Sequence, residues 1–431
     1  MRAVEGEMRL FGLLASGLIL LAPLQAGSQA NPPARPAPKP SDNAGKKGTY
    51  LIKTSRPGCN YYVCVPGSYS EEKPAGLHLF FHGQNGQGGA PNFGTWSKFF
   101  LDPYNLIGIN MQYEDGDNAR DTEGKVKAAQ EAIAQTIADY KIVAGRGVVC
   151  SFSGGGLPHA LFYDGQAKNG RGATWPFCHA ALYSSNYRTK PSQQKSTPMT
   201  FFISVGQGEW TLASLGADGL ARMTELLGDT AQGAPSDLYF KVIKGKGHSI
   251  ADEEVGESVN GFRRGDLAFA PFVYGPDYPE KEFRVIVEES NALLLGRAVT
   301  AIERLPEPLK AKGAKLREKI DARVQSVLAL AKELAEGDPV LYTFYGPIFT
   351  RQLQGLPEAK ELKEILSGAT KRPAHSKTLA LVPAFQKNYR SFFEMSGMMN
   401  PAQAPLLEQV KSVAGPGSQY GRMAADYLLL K

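Results

Sequence analysis

Between residues 50 and 267, short apolar runs alternate with stretches in which apolar residues recur at helical spacing. The runs at 61–66, 77–81, 106–111, 148–153, 178–183, 199–205 and 238–243 are rich in β-branched and aromatic residues, and predict strands. The first ends at Pro66, as a strand should. Between them, 125–140 carries Val126, Ala129, Ile133, Ile137 and Tyr140 along one side, and predicts an amphipathic helix. Residues 217–227 and 253–267 predict two more helices. Strands that alternate with helices imply a mostly parallel sheet with helices on both faces, an α/β fold. From about Glu289 the strand signals stop. Leu309, Leu316, Ile320, Val324, Val327, Leu328, Ala331 and Leu334 keep a helical period until Gly337-Asp338-Pro339 ends it. Further helices are predicted at 357–366, 378–393 and 401–413, so 289–431 reads as a separate C-terminal all-helical module after an α/β domain at 49–288.

The N-terminus follows a different pattern. Arg9 precedes an unbroken apolar or small run from Leu10 to Leu24, and small residues around Ala26 and Ala30 offer cleavage points. This predicts a secretory signal peptide over 1–30, with a signal anchor as the alternative, and hence a secreted or periplasmic protein. Residues 31–48, rich in Pro, Ala and Lys, predict an extended linker. Export permits disulfides, but the spacing of Cys59, Cys64, Cys150 and Cys178 fixes no pairing and fits no zinc site. The net charge of +6 is spread along the chain with no basic stripe interleaved with aromatics, which argues against a nucleic-acid partner.

Candidate chemistry centres on Gly147-Val148-Val149-Cys150-Ser151-Phe152-Ser153-Gly154-Gly155-Gly156. A buried strand that ends in small-x-Ser-x-Gly and opens a helix places the Ser153 hydroxyl on a sharp strand-to-helix turn. The helix N-terminus behind it suits a developing oxyanion. The competing reading is a phosphate-cradling loop, but the segment lacks the Gly-Lys-Ser/Thr ending of such loops. Serine needs a base, and His248, in Gly245-Lys246-Gly247-His248 after the last predicted strand, is the candidate among six histidines. A carboxylate must orient that base; Glu209, in Gly206-Gln207-Gly208-Glu209 at another strand end, is the candidate, with Asp218 and Asp252 in reserve. The oxyanion hole is expected from the N–H groups of Gly154 and of Gln84, which follows His82-Gly83.

Tyr62-Val63-Cys64-Val65-Pro66, Phe81-His82-Gly83-Gln84, Ser151-Phe152-Ser153-Gly154-Gly155, Gly206-Gln207-Gly208-Glu209 and Gly247-His248-Ser249 occur in the order found in α/β-hydrolases. Over 50–267 the chain resembles an α/β-hydrolase of the secreted esterase type, similar to the feruloyl esterase and polyhydroxybutyrate depolymerase-like group. The resemblance implies a serine-dependent carboxylic ester hydrolase that needs no metal or organic cofactor. Two positions depart from that group: Glu209 stands where Asp is usual, and Ser151 where Gly is usual. The resemblance stops before the helical module.

Two other readings stay open on sequence alone: a serine peptidase of the same fold, and a vestigial hydrolase domain serving as a binding or scaffold protein. The loops at 114–121 and 162–175 are polar and Gly-rich, which favours polar or polymer-linked esters over long lipid chains. Tyr113 and Trp210 are candidate pocket aromatics. The helical module is a candidate docking element for a polymer, an envelope component or another protein.

Overall fold

The computed structural model describes residues 38–83, 93–113, 121–164, 177–185, 199–206, 237–394 and 401–429. Eight strands form one sheet: β1 (Gly48–Lys53), β2 (Cys59–Val65), β3 (Ala75–Phe81), β4 (Leu106–Tyr113), β5 (Ile142–Ser153), β6 (His179–Ser185), β7 (Thr200–Gly206) and β8 (Leu238–Ile243). Their order is β1-β2-β4-β3-β5-β6-β7-β8. β1 and β2 run antiparallel to their neighbours, and the other strands are parallel. The expected fold class is therefore the one the chain adopts. β3 and β6 are buried along their whole length, which explains why they read as continuous apolar runs.

Helices cover both faces, as the alternation along β3 makes plain. His78 and Phe80 point to Trp96, in a short helical stretch at 93–104. Phe81 points the other way, to His159 and Phe162 on α2 (Gly156–Asp164). α2 packs beside α1 (Thr122–Asp139). On the His78 side, α3 (Asp252–Phe269) lies across β5, β6 and β7.

The helical region comprises α4 (Lys281–Asn291), α5 (Leu295–Glu303), α6 (Glu307–Gly337), α7 (Pro339–Leu353), α8 (Glu358–Thr370), α9 (Pro373–Glu394), α10 (Ala404–Ala414) and α11 (Gln419–Leu428). α4 to α8 enclose a second apolar core around Leu316, Ile320, Val324, Tyr345 and Phe349. α9 to α11 instead join the core of the sheet: α11 packs on β8, with the Tyr427 and Phe240 ring centroids 6.3 Å apart. A buried polar knot reinforces this seam. Arg264 of α3 pairs with Asp237 ahead of β8, and Asp237 also accepts from Tyr345 of α7 at 2.6 Å. Arg264 donates in turn to Gln419 of α11 at 3.2 Å. Glu289 falls inside α4, so the helical region begins one helix earlier than the sequence pattern places it.

The expected linker differs as well. Within it, Ser41 donates to Asp139 through its N–H (2.6 Å) and its hydroxyl (2.7 Å), and Gly45 N–H reaches the Asp139 carbonyl. The end of α1 thus anchors residues that composition alone makes look unattached. All four cysteines are buried thiols. Among the described residues no helix is long and apolar enough to cross a membrane.

Candidate active site

Ser153 is the last residue of β5, a strand flanked by β3 and β6 at the middle of the sheet. Its φ is +52°, the left-handed region that a non-glycine residue enters only at a cost of roughly 1–2 kcal/mol. The register to β6 slips at this point, so that Ser153 pairs with Ser185 where continued pairing would bring Ser184. Gly155 N–H then closes a tight turn onto the Phe152 carbonyl at 2.9 Å, and α2 begins at Gly156. The backbone is the strained strand-to-helix turn that the sequence motif requires.

Close approach explains the glycines. A Cβ on Gly155 would lie 2.1 Å from the Phe81 carbonyl oxygen and 2.6 Å from that of His82. The turn after Ser153 is thus pressed against the end of β3, where the expected oxyanion loop begins. His82 is fixed there. Its Nδ1–H donates to the Gly83 carbonyl at 2.8 Å, and its ring lies against Tyr113. Burial, aided by the nearby Lys125 ammonium, pulls the His82 pKa down to about 4. The ring is therefore neutral at neutral pH. Gln84 lies outside the described residues; Gly154 is in place directly after Ser153.

The loop after β8 brings His248 back to the same strand end. Its ring lies over Phe152, the residue before Ser153, with centroids 4.6 Å apart and planes 31° from parallel. The loop is seated on the end of β7: a Cβ on Gly206 would be 2.3 Å from the Lys246 carbonyl oxygen. Gly206 is the last described residue before the segment that carries Glu209. Glu209 and Trp210 themselves lie outside the described residues, as do the predicted helix 217–227 and most of the loops at 114–121 and 162–175. Of the reserve acids, Asp252 is exposed and takes Lys98 and Thr95 as partners; Asp218 is outside the described residues.

Two supports were not apparent from sequence. The first lies under Ser153. Ser151 Oγ is hydrogen-bonded to His159 Nδ1 and to Ser185 Oγ, both at 2.9 Å, and Ser185 Oγ donates to the Ser153 carbonyl at 3.4 Å. Ser151 is therefore a polar hub in a fully buried position, where sequence reasoning credits it only with being small. His159 is held neutral, its pKa lowered to about 3 by burial. The second support is Glu254 of α3, completely buried. Its carboxylate pairs with Lys246, two residues before His248, and accepts from Ala251 N–H, three residues after it, at 2.5 Å. It also accepts from Ser204 of β7 at 2.5 Å. One carboxylate thus ties both arms of the His248 loop to β7. The sequence signal was an acidic residue in the first turn of a helix, where a capping role is the ordinary expectation.

No family model matches the chain, and no curated protein does. Solved structures similar to it include a thermostable esterase, at 13% identity and a TM-score of 0.34, over 50% of this chain and 59% of that one. A fungal esterase from Rhizomucor miehei is similar at 11% identity and a TM-score of 0.37, over 51% of this chain and 85% of that one. Est1E from Butyrivibrio proteoclasticus is similar at 11% identity and a TM-score of 0.37, over 52% of this chain and all of that one.

Proposed function

We propose that this protein is a serine hydrolase that cleaves carboxylic esters through an acyl-enzyme. The observation that carries the reading is the left-handed Ser153 at the end of a central strand, with the His248 loop and the end of β3 converging on it. A serine held at φ +52° by its surroundings marks a place where backbone strain sets the direction of one hydroxyl at the end of the strand.

In this reading Ser153 Oγ attacks the acyl carbon while His248 takes the hydroxyl proton. Glu209 orients the imidazole and stabilises its charged form. Gly154 and Gln84 N–H groups donate to the oxyanion. The tetrahedral intermediate collapses as His248 passes its proton to the leaving alkoxide, which departs as the alcohol. Water then adds to the acyl-serine by the same route and releases the acid. The polar, Gly-rich loops at 114–121 and 162–175 favour polar or polymer-linked esters. The apolar N-terminal run favours export.

The test is a panel of p-nitrophenyl esters from acetyl to palmitoyl, with Ser153→Ala beside the wild type. The reading expects turnover of the short esters and a loss of about a thousandfold or more in the variant. Equal turnover by both proteins overturns it.

A further inference from the structure

Away from the sheet, a cleft of about 430 Å³ opens between α4, α5 and the end of α7. Its walls carry three guanidinium groups, Arg297, Arg304 and Arg351, and one carboxylate, Glu289. The three arginines come from different parts of the fold: Arg297 from within α5, Arg304 from its C-terminal end, Arg351 from the last turn of α7. The geometry is not accidental slack. Gly296 of α5 meets the turn after α7 so closely that a Cβ there would be 2.0 Å from the Gln354 carbonyl oxygen. The two walls are therefore locked at contact distance beside the opening.

The charges are poorly matched within the protein. Only Arg297 has an acidic neighbour, Glu289 Oε1, and at 3.8 Å that contact is long for a hydrogen-bonded pair. Among the described residues, Arg304 and Arg351 have no carboxylate within ion-pairing distance. Glu289 Oε2, meanwhile, is buried and has no hydrogen-bond donor. The three exposed guanidinium groups on one concavity are charge-assisted donors available to an anion, and the buried Glu289 oxygen lacks a donor that a ligand hydroxyl can supply.

We infer that this cleft binds a hydroxy-carboxylate, the chemistry of a uronic acid sugar: the ligand's carboxylate is received by Arg304 and Arg351, and a ligand hydroxyl donates to Glu289. Three cations against one anion leave the cleft net positive, which suits a monoanion with hydroxyls. A bare dianion such as phosphate meets the same arginines but also the Glu289 carboxylate, and brings no donor for it at neutral pH beyond its one acidic proton. The apolar patches from Leu294 and Ala301 fit the CH face of a sugar ring, and the volume accommodates a monosaccharide unit. The site would hold the acidic backbone of an ester-bearing polymer while a different region handles the ester.

The experiment is titration of the full chain with D-glucuronate, D-glucose and inorganic phosphate, followed by calorimetry or ligand-observed NMR. It is run on the wild type, on Arg304→Gln/Arg351→Gln, on Glu289→Gln and on Ser153→Ala. The arginines are exposed, so their replacement leaves the core intact. Saturable glucuronate binding, weakened about tenfold or more in the double arginine variant and several-fold in Glu289→Gln, with glucose not binding, is the expected result. Glucuronate that fails to bind at tens of millimolar, or that binds the double variant as well as the wild type, overturns the inference. So does phosphate binding without glucuronate binding. Because the readout is binding, Ser153→Ala should bind like the wild type, and the outcome is independent of whether Ser153 is a nucleophile.

Discussion

Gly83 faces Ser153 so closely that a Cβ built on it would lie 3.0 Å from the serine Cβ and 3.5 Å from its Oγ. The end of β3 and the end of β5 therefore present their backbones to one small volume, with the hydroxyl inside it. A side chain there would crowd the serine, so glycine keeps the space beside the hydroxyl open. The same crowding makes the site sensitive to single methyl groups.

Gly155→Ala tests that crowding directly. The added Cβ collides with two carbonyl oxygens on the end of β3, neither of which is a flexible side chain. The expected cost is about 1–3 kcal/mol of stability, with ester turnover falling further than stability alone explains. Urea unfolding and steady-state kinetics on the same preparation check it. A variant of wild-type stability and activity means that the two loops are not held in contact.

Ser151→Gly restores the commoner form of the motif and yet should harm this protein. The hydroxyl bridges His159 and Ser185 in a fully buried position. Its removal takes a hydrogen-bond partner from a buried imidazole, at roughly 1–3 kcal/mol. Denaturant midpoints of the wild type, Ser151→Gly and Ser151→Thr measure the effect. A stable Ser151→Gly would show that size alone matters at this position.

Glu254→Gln separates holding the His248 loop from holding the fold. The amide oxygen still accepts from Ala251 N–H, and the amide NH2 faces Ser204 Oγ, which can turn to accept from it, but the pairing with Lys246 is lost. We expect kcat for a short ester to fall about tenfold with KM little changed, since the variant disturbs the base and not the acyl pocket. Lys246→Met should give the same split, and the double variant should add little to either. Unchanged kcat in all three would remove Glu254 from the positioning of His248.

Stability should fall on mild acidification. Burial lowers the pKa values of His78, His159 and His179 to about 3, and that of His82 to about 4. In the unfolded chain these rings take a proton near 6.5, whereas the folded protein keeps them neutral. The unfolded state thus binds more protons below pH 6.5, and stability present above that value is lost as pH falls toward 4. Each ring contributes roughly 1.4 kcal/mol per pH unit below 6.5. Asp426, raised to about 6 chiefly by burial, acts in the opposite sense between pH 4 and 6; Asp338, also raised by burial, works in that sense too, and the four histidines outnumber the pair. Urea midpoints at pH 7.5, 6 and 5 should decline in that order; a flat series contradicts the neutral burial of these histidines.

Much of this arrangement is legible in the chain. The pattern predicts β8 with its observed bounds, and β3, β4, β6 and β7 within two residues, because strands buried on both faces are mostly apolar, with few polar interruptions such as His78, Asn110 and Lys241. β1 is not legible: Gly48–Lys53 is an edge strand with four of its six residues exposed, so its pattern is too weak to stand out. α7 is missed for the opposite reason. Tyr342, Tyr345, Phe349 and Leu353 are all fully buried, and Gly346 and Pro347 interrupt the segment, so it shows neither a polar face nor a clean helical run. Ser153 and His248 announce themselves through their glycines. Ser151 and Glu254 do not, because their roles depend on partners at 159, 185, 204 and 246 that only the fold assembles. The polar knot of Arg264, Asp237, Tyr345 and Gln419 is invisible for the same reason. It also shows why removing 289–431 is a poor probe of the helical region, since α11 covers β8 and supplies part of the core of the sheet.

The most direct test of the central claim is labelling with a fluorophosphonate probe, which reacts only with a serine whose proton is already being withdrawn. Wild type, Ser153→Ala and His248→Ala are treated side by side, and the labelled peptide is identified by mass spectrometry. The account predicts a single adduct on Ser153 in the wild type, none in Ser153→Ala and a labelling rate lower by about a hundredfold or more in His248→Ala. A folded wild type that takes no label, or one that is labelled at another serine, contradicts it.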